Sequence, residues 1–142
     1  MTDVHSKETR SYNMSRVKSK NTKPEMLLRK ELFKRGFRYR LHDKKLPGKP
    51  DIILPKFKTV IFVNGCFWHG HEGCRYYTIP KTRTEWWQHK ITGNIARDSR
   101  AMDELIKLGW GVITIWTCEL KKNTLEDTVI SILKNIKSNC SQ

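Results

Sequence analysis

The sequence predicts a single α/β domain, a mixed central β-sheet flanked by helices. Three observations carry that prediction. Apolar residues change their period along the chain in the order helix, three to four strands, helix, strand, helix. Two runs of β-branched and aromatic residues, Thr59 to Val63 and Trp110 to Trp116, have the character of buried strands. A chain of 142 residues is the size of one domain and buries roughly 70% of the surface its unfolded form exposes, so no second core is needed.

Residues 1–23 are polar and basic, with Arg10, Arg16, Lys18, Lys20 and Lys23 set around Met14 and Val17. Such a segment buries too little to fold by itself, so it is a disordered tail or an arm that orders against phosphates. The chain therefore divides into a basic N-terminal arm, residues 1–22, and a domain over residues 23–142. Asn21 or Thr22 caps the first helix, with Pro24 in its first turn and Glu25 near the positive end of its dipole. Leu28 and Leu32 lie one turn apart and face a core, and Gly36 ends the helix. Phe37 to Leu41 alternates large apolar and basic residues, as an edge strand does.

After the turn Leu46-Pro47-Gly48-Lys49-Pro50, Asp51 to Leu54 is a short strand that opens on a carboxylate. Lys56 and Lys58 mark a turn, and Thr59 to Val63 is the next strand. Strands so close in sequence pair as a hairpin, which brings Asp51 near Val63 and Asn64. Thr84 is placed to cap a long helix carrying Trp86, Trp87, Ile91, Ile95, Met102, Leu105 and Leu108, ended by Gly109. These apolar positions do not share one stripe, so a bend or two shorter helices is an open alternative. Trp110 to Trp116 then delivers Cys118 just past its end, and residues 124–138 form a closing amphipathic helix.

Lys and Arg number 28 against 14 Asp and Glu, a formal charge of +14 and a pI near 9.9. That excess points to a polyanion as partner, nucleic acid ahead of an anionic membrane, because no long apolar run, signal peptide or basic amphipathic helix is present. A cytosolic setting is expected, in which the four cysteines are reduced or metal-bound.

The stretch from Val60 to Cys74 begins as a buried strand and breaks at Gly65 into a loop crowded with sulfur, imidazole and indole. Cys66, His71 and Cys74 have the spacing of metal ligands, and Cys118, from a separate strand, closes a tetrahedral Cys3His zinc site of the structural kind. Metal binding there is worth on the order of 10 kcal/mol of folding free energy, enough to order a loop with little core of its own. Phe67 and Trp68 form an aromatic pair in a loop, and His69 moves protons near neutral pH. Asp51 at the head of a strand in a basic protein is the type of residue that holds Mg2+ in enzymes that cut phosphodiesters, although an Asp capping the turn after Pro50 has the same sequence signature.

Leu46 to Asp51, the string Val60 to His69 with its Gly65-Cys66-Phe67-Trp68-His69, Thr82-Arg83-Thr84-Glu85, and Gly109-Trp110-Gly111-Val112 with Trp116-Thr117-Cys118 together resemble the very short patch repair (Vsr) endonucleases of bacteria. The resemblance runs from about Thr9 to Leu120. It implies a restriction-endonuclease-like, PD-(D/E)XK-type core and a bacterial cytoplasmic, nucleoid-associated enzyme acting on double-stranded DNA. It also implies an activity: recognition of a T:G mismatch left by deamination of 5-methylcytosine, and Mg2+-dependent nicking 5′ of the mispaired thymine, with zinc as a structural ion. The functional partners are then a cytosine-5 DNA methyltransferase and the repair proteins that follow the nick, and nicking one strand needs only a monomer.

Residue by residue, the resemblance makes Asp51 the Mg2+-binding carboxylate and the backbone carbonyl of Val63 a second ligand. His69 becomes the general acid or base, and Glu25 orients a metal-bound water. Asn64 stands where well-known members carry histidine; an amide hydrogen-bonds a phosphate oxygen but carries no proton or charge, so slower chemistry or compensation by a nearby Lys is expected. Phe67, Trp68 and Trp87 enter the duplex beside the mismatch, and Met14 on the arm enters from the minor groove. Arg16 and Lys20 also contact DNA. Wedging costs a few kcal/mol of unstacking per step, and a wobble pair lowers that cost. For Phe67 and Trp87 a plain core role is the competing assignment. A restriction-type enzyme cutting paired DNA and a non-catalytic zinc-stabilised DNA-binding module are the alternative functions. Lys20, Lys81 and Arg97 are candidates for reading the flanking bases.

Overall fold

A computed structural model describes residues 22–41 and 43–140, with side chains through residue 136. The basic arm, with Met14, Arg16 and Lys20, lies outside the described residues. Helix α1 spans Lys23–Lys34. Strand β1 is Arg40–Leu41, β2 is Ile52–Leu54 and β3 is Thr59–Asn64. Helix α2 runs Thr84–Lys107, β4 is Gly111–Trp116 and α3 is Leu125–Cys140.

Among the described residues the strands make a four-stranded sheet in the order β1-β2-β3-β4. β1 with β2 and β2 with β3 are antiparallel, whereas β3 and β4 are parallel. A parallel pair needs a long crossover, and α2 supplies it. Strand β3 alternates between two cores. Ile61 joins Leu28 and Leu32 of α1 and Val129, Ile132 and Ile136 of α3 on one face. On the other, Val60 meets Ile53 and Leu105 of α2. The mixed α/β sheet with helices on both faces matches the expectation.

The helix ends follow from local chemistry. Thr22 is the N-cap of α1, its hydroxyl accepting from the Glu25 N–H at 3.5 Å. At the other end Gly36 takes φ +91°, so the Gly36 and Phe37 amides donate to the Phe33 and Leu32 carbonyls and Phe37 folds back onto the core. The same closure recurs after α2, where Gly109 at φ +91° sets Trp110 N–H on the Leu105 carbonyl.

Three expectations need correction. The edge strand expected over Phe37 to Leu41 is only Arg40–Leu41, because Phe37 and Tyr39 pack against the core as an irregular lead-in. Thr84 is not the cap of α2: Arg83 occupies that position at φ +55°, and the Thr84 hydroxyl donates back to the Pro80 and Lys81 carbonyls. Helix α2 is one unbroken element of 24 residues. Off the buried stripe, Trp86 and the C-cap residue Leu108 lie at the surface while Ile91 and Leu105 are buried.

Candidate active site and metal centre

The β2–β3 hairpin carries the first cluster. The turn before it is tight: Gly48 adopts φ +73°, and a Cβ there would meet the Ala101 Cβ at 2.7 Å. Asp51 then donates its N–H to the Ile61 carbonyl, and its Oδ2 accepts the Val63 N–H at 2.7 Å. From α1, the buried Glu25 faces the same point, its Oε2 paired with the Arg29 guanidinium at 2.8 Å. Burial pushes the Asp51 carboxyl up to about 7, and the neighbouring Glu25 carboxyl adds to the rise; the Val63 N–H and the nearby His69 charge pull the other way. Two carboxyls held together in a partly dry pocket are a set of hard oxygen donors that a divalent cation would relieve.

His69 reaches this centre from the loop after β3. Its Nδ1 is 2.5 Å from Oδ2 of Asp98 on α2. A carboxylate can only accept, so Nδ1 carries the proton and Nε2 is left for chemistry. Asn64 is buried at the end of β3 and opens on the α2 side into a cleft of about 310 Å³ lined also by Lys44, Lys49, Arg97 and Asp98.

The second cluster is the sulfur and imidazole set. Ligand atoms of Cys66, His71, Cys74 and Cys118 all lie within 4.8 Å of one another, so the group could hold a metal ion. Two turns fold the loop to this end, the His71 N–H donating to the Cys66 carbonyl at 2.9 Å and the Cys74 N–H to the His71 carbonyl at 3.2 Å. Trp116 stacks on the His71 ring at 4.1 Å between centroids, 2° from parallel, and sets its direction. Burial and the Cys66 and Cys74 sulfurs push the Cys118 thiol up to about 12. For Cys66, burial works against ionisation, yet the Thr117 hydroxyl, the Cys118 amide and His71 hold it down at about 7. Thiols so opposed ionise together only around a cation.

Between Cys66 and His69 on the loop stand two aromatic residues, and Trp87 of α2 meets them. Phe67 lies 5.2 Å from Trp68 and 5.3 Å from Trp87, and Trp68 lies 5.7 Å from Trp87. All three are half-buried, and Trp86 stands exposed against Trp87 at 4.8 Å. Phe67 and Trp68 also line a groove of about 830 Å³ rimmed by Lys23, Lys121 and Lys122.

The family profile described as DNA mismatch endonuclease Vsr matches residues 2–75. The chain belongs to the Vsr family. Among its relatives is the type II nicking enzyme V.NmeAIP of Neisseria meningitidis serogroup A, 51% identical over 88% of this chain and 89% of that one. The type II nicking enzyme V.XorIIP of Xanthomonas oryzae is 52% identical over 84% and 88%. The DNA mismatch endonuclease Vsr of Escherichia coli K12 is 43% identical over 85% and 77%.

In this Vsr-family chain Glu25, Asp51, Val63 and His69 come together, Asn64 lies beside them, and Cys66, His71, Cys74 and Cys118 form the expected set. Phe67, Trp68 and Trp87 make one cluster, while Lys81 and Arg97 are exposed. Sequence reasoning missed Arg29, Asp98, Asn94 and Thr117. Arg29 had a signal, being one turn from Glu25 on a face otherwise apolar. Asp98 had none, since 29 residues separate it from His69.

Proposed function

We propose that this protein nicks DNA at T:G mismatches, 5′ of the mispaired thymine left by deamination of 5-methylcytosine. What supports this reading is one juxtaposition: the loop that carries the acid–base residue His69 also carries Phe67 and Trp68, two and one residues before it. Mismatch sensing and bond cleavage thereby share one segment of the chain.

Asp51 and the Val63 carbonyl are the groups that would hold Mg2+, which supplies positive charge to the scissile phosphate when bound. Glu25 is oriented by Arg29, and it in turn positions a nucleophilic water. Asp98 keeps the His69 proton on Nδ1, so Nε2 takes a proton from the attacking water or returns one to the leaving oxygen. Asn64 donates its amide to a phosphate oxygen, with Lys49 and Arg97 of the same cleft supplying the charge that asparagine lacks. Phe67, Trp68 and Trp87 wedge into the mispaired step, where stacking returns about 1–3 kcal/mol per base. Met14, Arg16 and Lys20 of the arm, residues 1–22, act from the minor groove and the backbone. Cys66, His71, Cys74 and Cys118 would hold Zn2+, which ties the loop to the end of β4.

The core is of the PD-(D/E)XK restriction-endonuclease type, and the enzyme works as a monomer in the bacterial cytoplasm, partnered in function with a cytosine-5 methyltransferase and excision repair proteins. No helix among the described residues is long and apolar enough to cross a membrane. The test incubates the protein and its Asp51→Ala variant with Mg2+ and labelled duplexes bearing T:G, C:G or T:A at one position. Single-strand nicking of T:G alone, absent in the variant, is the expected result. Cleavage of paired duplex, or binding without cleavage, overturns the proposal.

A further inference from the structure

The peptide unit between Trp68 and His69 is held at both of its polar ends. Its N–H, that of His69, donates to the Gly65 carbonyl at 3.1 Å. Its carbonyl, that of Trp68, accepts from Nδ2 of Asn94 at 2.8 Å. The orientation of the Asn94 amide is itself determined, because an Arg97 guanidinium nitrogen donates to Oδ1 and a guanidinium cannot accept. Only the NH2 is left to face the loop.

Asn94 is one of a row of contacts. Trp87, Ile91, Asn94 and Asp98 recur every three to four residues along one face of α2, with Ile95 one turn beyond Ile91 on the same face. Trp87 meets Phe67 and Trp68, Asn94 holds the Trp68 carbonyl and Asp98 holds His69. Gly70, at φ +62°, lies so close that an added Cβ would come within 2.7 Å of Ile95 and 3.0 Å of Ile91. Four consecutive loop residues, 67 to 70, are thus registered against one helical stripe. A planar peptide unit has no internal freedom, so holding both of its polar ends leaves only the ψ of Trp68, the φ of His69 and their side-chain torsions to place the two rings, and Trp87 and Asp98 hold those rings.

We infer that Asn94 is a positioning residue that couples seating of the Trp68 ring in DNA to placement of His69 at the scissile phosphate. This rests on the proposed mismatch-nicking function and adds to it a location for specificity. With Asn94 in place, a duplex that admits the ring sets the imidazole correctly, and one that excludes it leaves the imidazole displaced. A shift of about 1 Å at a reacting group costs on the order of 100-fold in rate. Discrimination then lies in the cleavage step as well as in binding.

The experiment compares wild type with Asn94→Asp, which keeps the shape but turns an oxygen toward the Trp68 carbonyl. Three quantities are measured on the T:G duplex: affinity without Mg2+, fluorescence of a 2-aminopurine beside the mismatch, and single-turnover nicking rate with Mg2+. The inference expects affinity and 2-aminopurine signal within about 2-fold of wild type and a nicking rate at least about 10-fold lower. In a Trp68→Ala background the same substitution should cost no more than about 3-fold. A nicking rate within 2-fold of wild type overturns the inference. So does a loss that follows affinity and melting temperature in parallel, or full additivity with Trp68→Ala. If Asn94→Asp does not fold, Asn94→Ser is scored by the same criteria. A wild type that nicks no mismatch refutes the proposed function instead, so the two failures are distinct.

Discussion

The Asp51→Asn substitution turns the buried carboxyl into a measurable quantity. Asp51 ordinarily titrates at 3.8 and is raised to about 7, first by burial and then by Glu25. At about 1.4 kcal/mol for each tenfold change in proton affinity, that rise corresponds to roughly 4 kcal/mol. Between 3.8 and about 7 the folded chain keeps a proton that the unfolded chain has released. The stability tied to this group is therefore complete below pH 3.8, is lost as pH climbs to about 7, and is level above. Asparagine accepts the same Val63 N–H without ionising, so in Mg2+-free buffer at pH 8 the variant should melt higher than wild type, by roughly 10 °C for a domain of this size. At pH 4 the two should coincide. Added Mg2+ should raise the wild-type melting temperature at pH 8 and leave the variant unmoved, and nicking by the variant should be lost. Differential scanning fluorimetry across pH 4–8 with the zinc complement retained reads all of this. A variant less stable than wild type at pH 8, or a gap that does not change with pH, would refute the assignment of Asp51 to a carboxyl pocket awaiting a cation.

The other expectations follow from the same geometry. His69→Asn should lower the single-turnover nicking rate by about 10²–10⁴ with DNA affinity retained, and Asp98→Asn should lower it by about 10-fold or more; equal loss of affinity would contradict an acid–base role. Trp68→Ala should weaken binding of a T:G duplex by about 5- to 150-fold and of a paired duplex far less, as read by fluorescence anisotropy. Cys118→Ser should drop bound zinc well below about one per chain and remove most of the roughly 10 kcal/mol such a site contributes, so the variant should be largely unfolded at 37 °C. A metal-free but fully folded Cys118→Ser protein would refute a structural role for the site.

Where the chemistry is local, the sequence was legible. Thr22, Gly36 and Gly109 marked helix ends because capping depends on a few neighbouring dihedrals. Asp51 could be placed beside Val63 because a short connection leaves two strands little choice but to pair. Cys66, His71 and Cys74 were found by spacing, and Cys118 by its place at the end of a predicted strand. The lead-in over Phe37 and Tyr39 misled because alternation there reflects packing against a core rather than pairing in a ladder. Thr84 misled because its hydroxyl found two carbonyls behind it in place of the amides ahead.

By itself the sequence determined which residues are candidates for the chemistry and where most of the helices and strands form, since residue type, period and spacing act within a few positions along the chain. Only the tertiary structure decided how those residues are held: that α2 is unbroken, that one stripe of it grips residues 67–70, and that Asp98, Asn94 and Arg29 orient His69, the Trp68 carbonyl and Glu25. The physical reason is that a hydrogen bond is set by distance and direction in space. Partners 26 and 29 residues apart, such as Trp68 with Asn94 and His69 with Asp98, are brought within reach only when the crossover helix packs across the sheet.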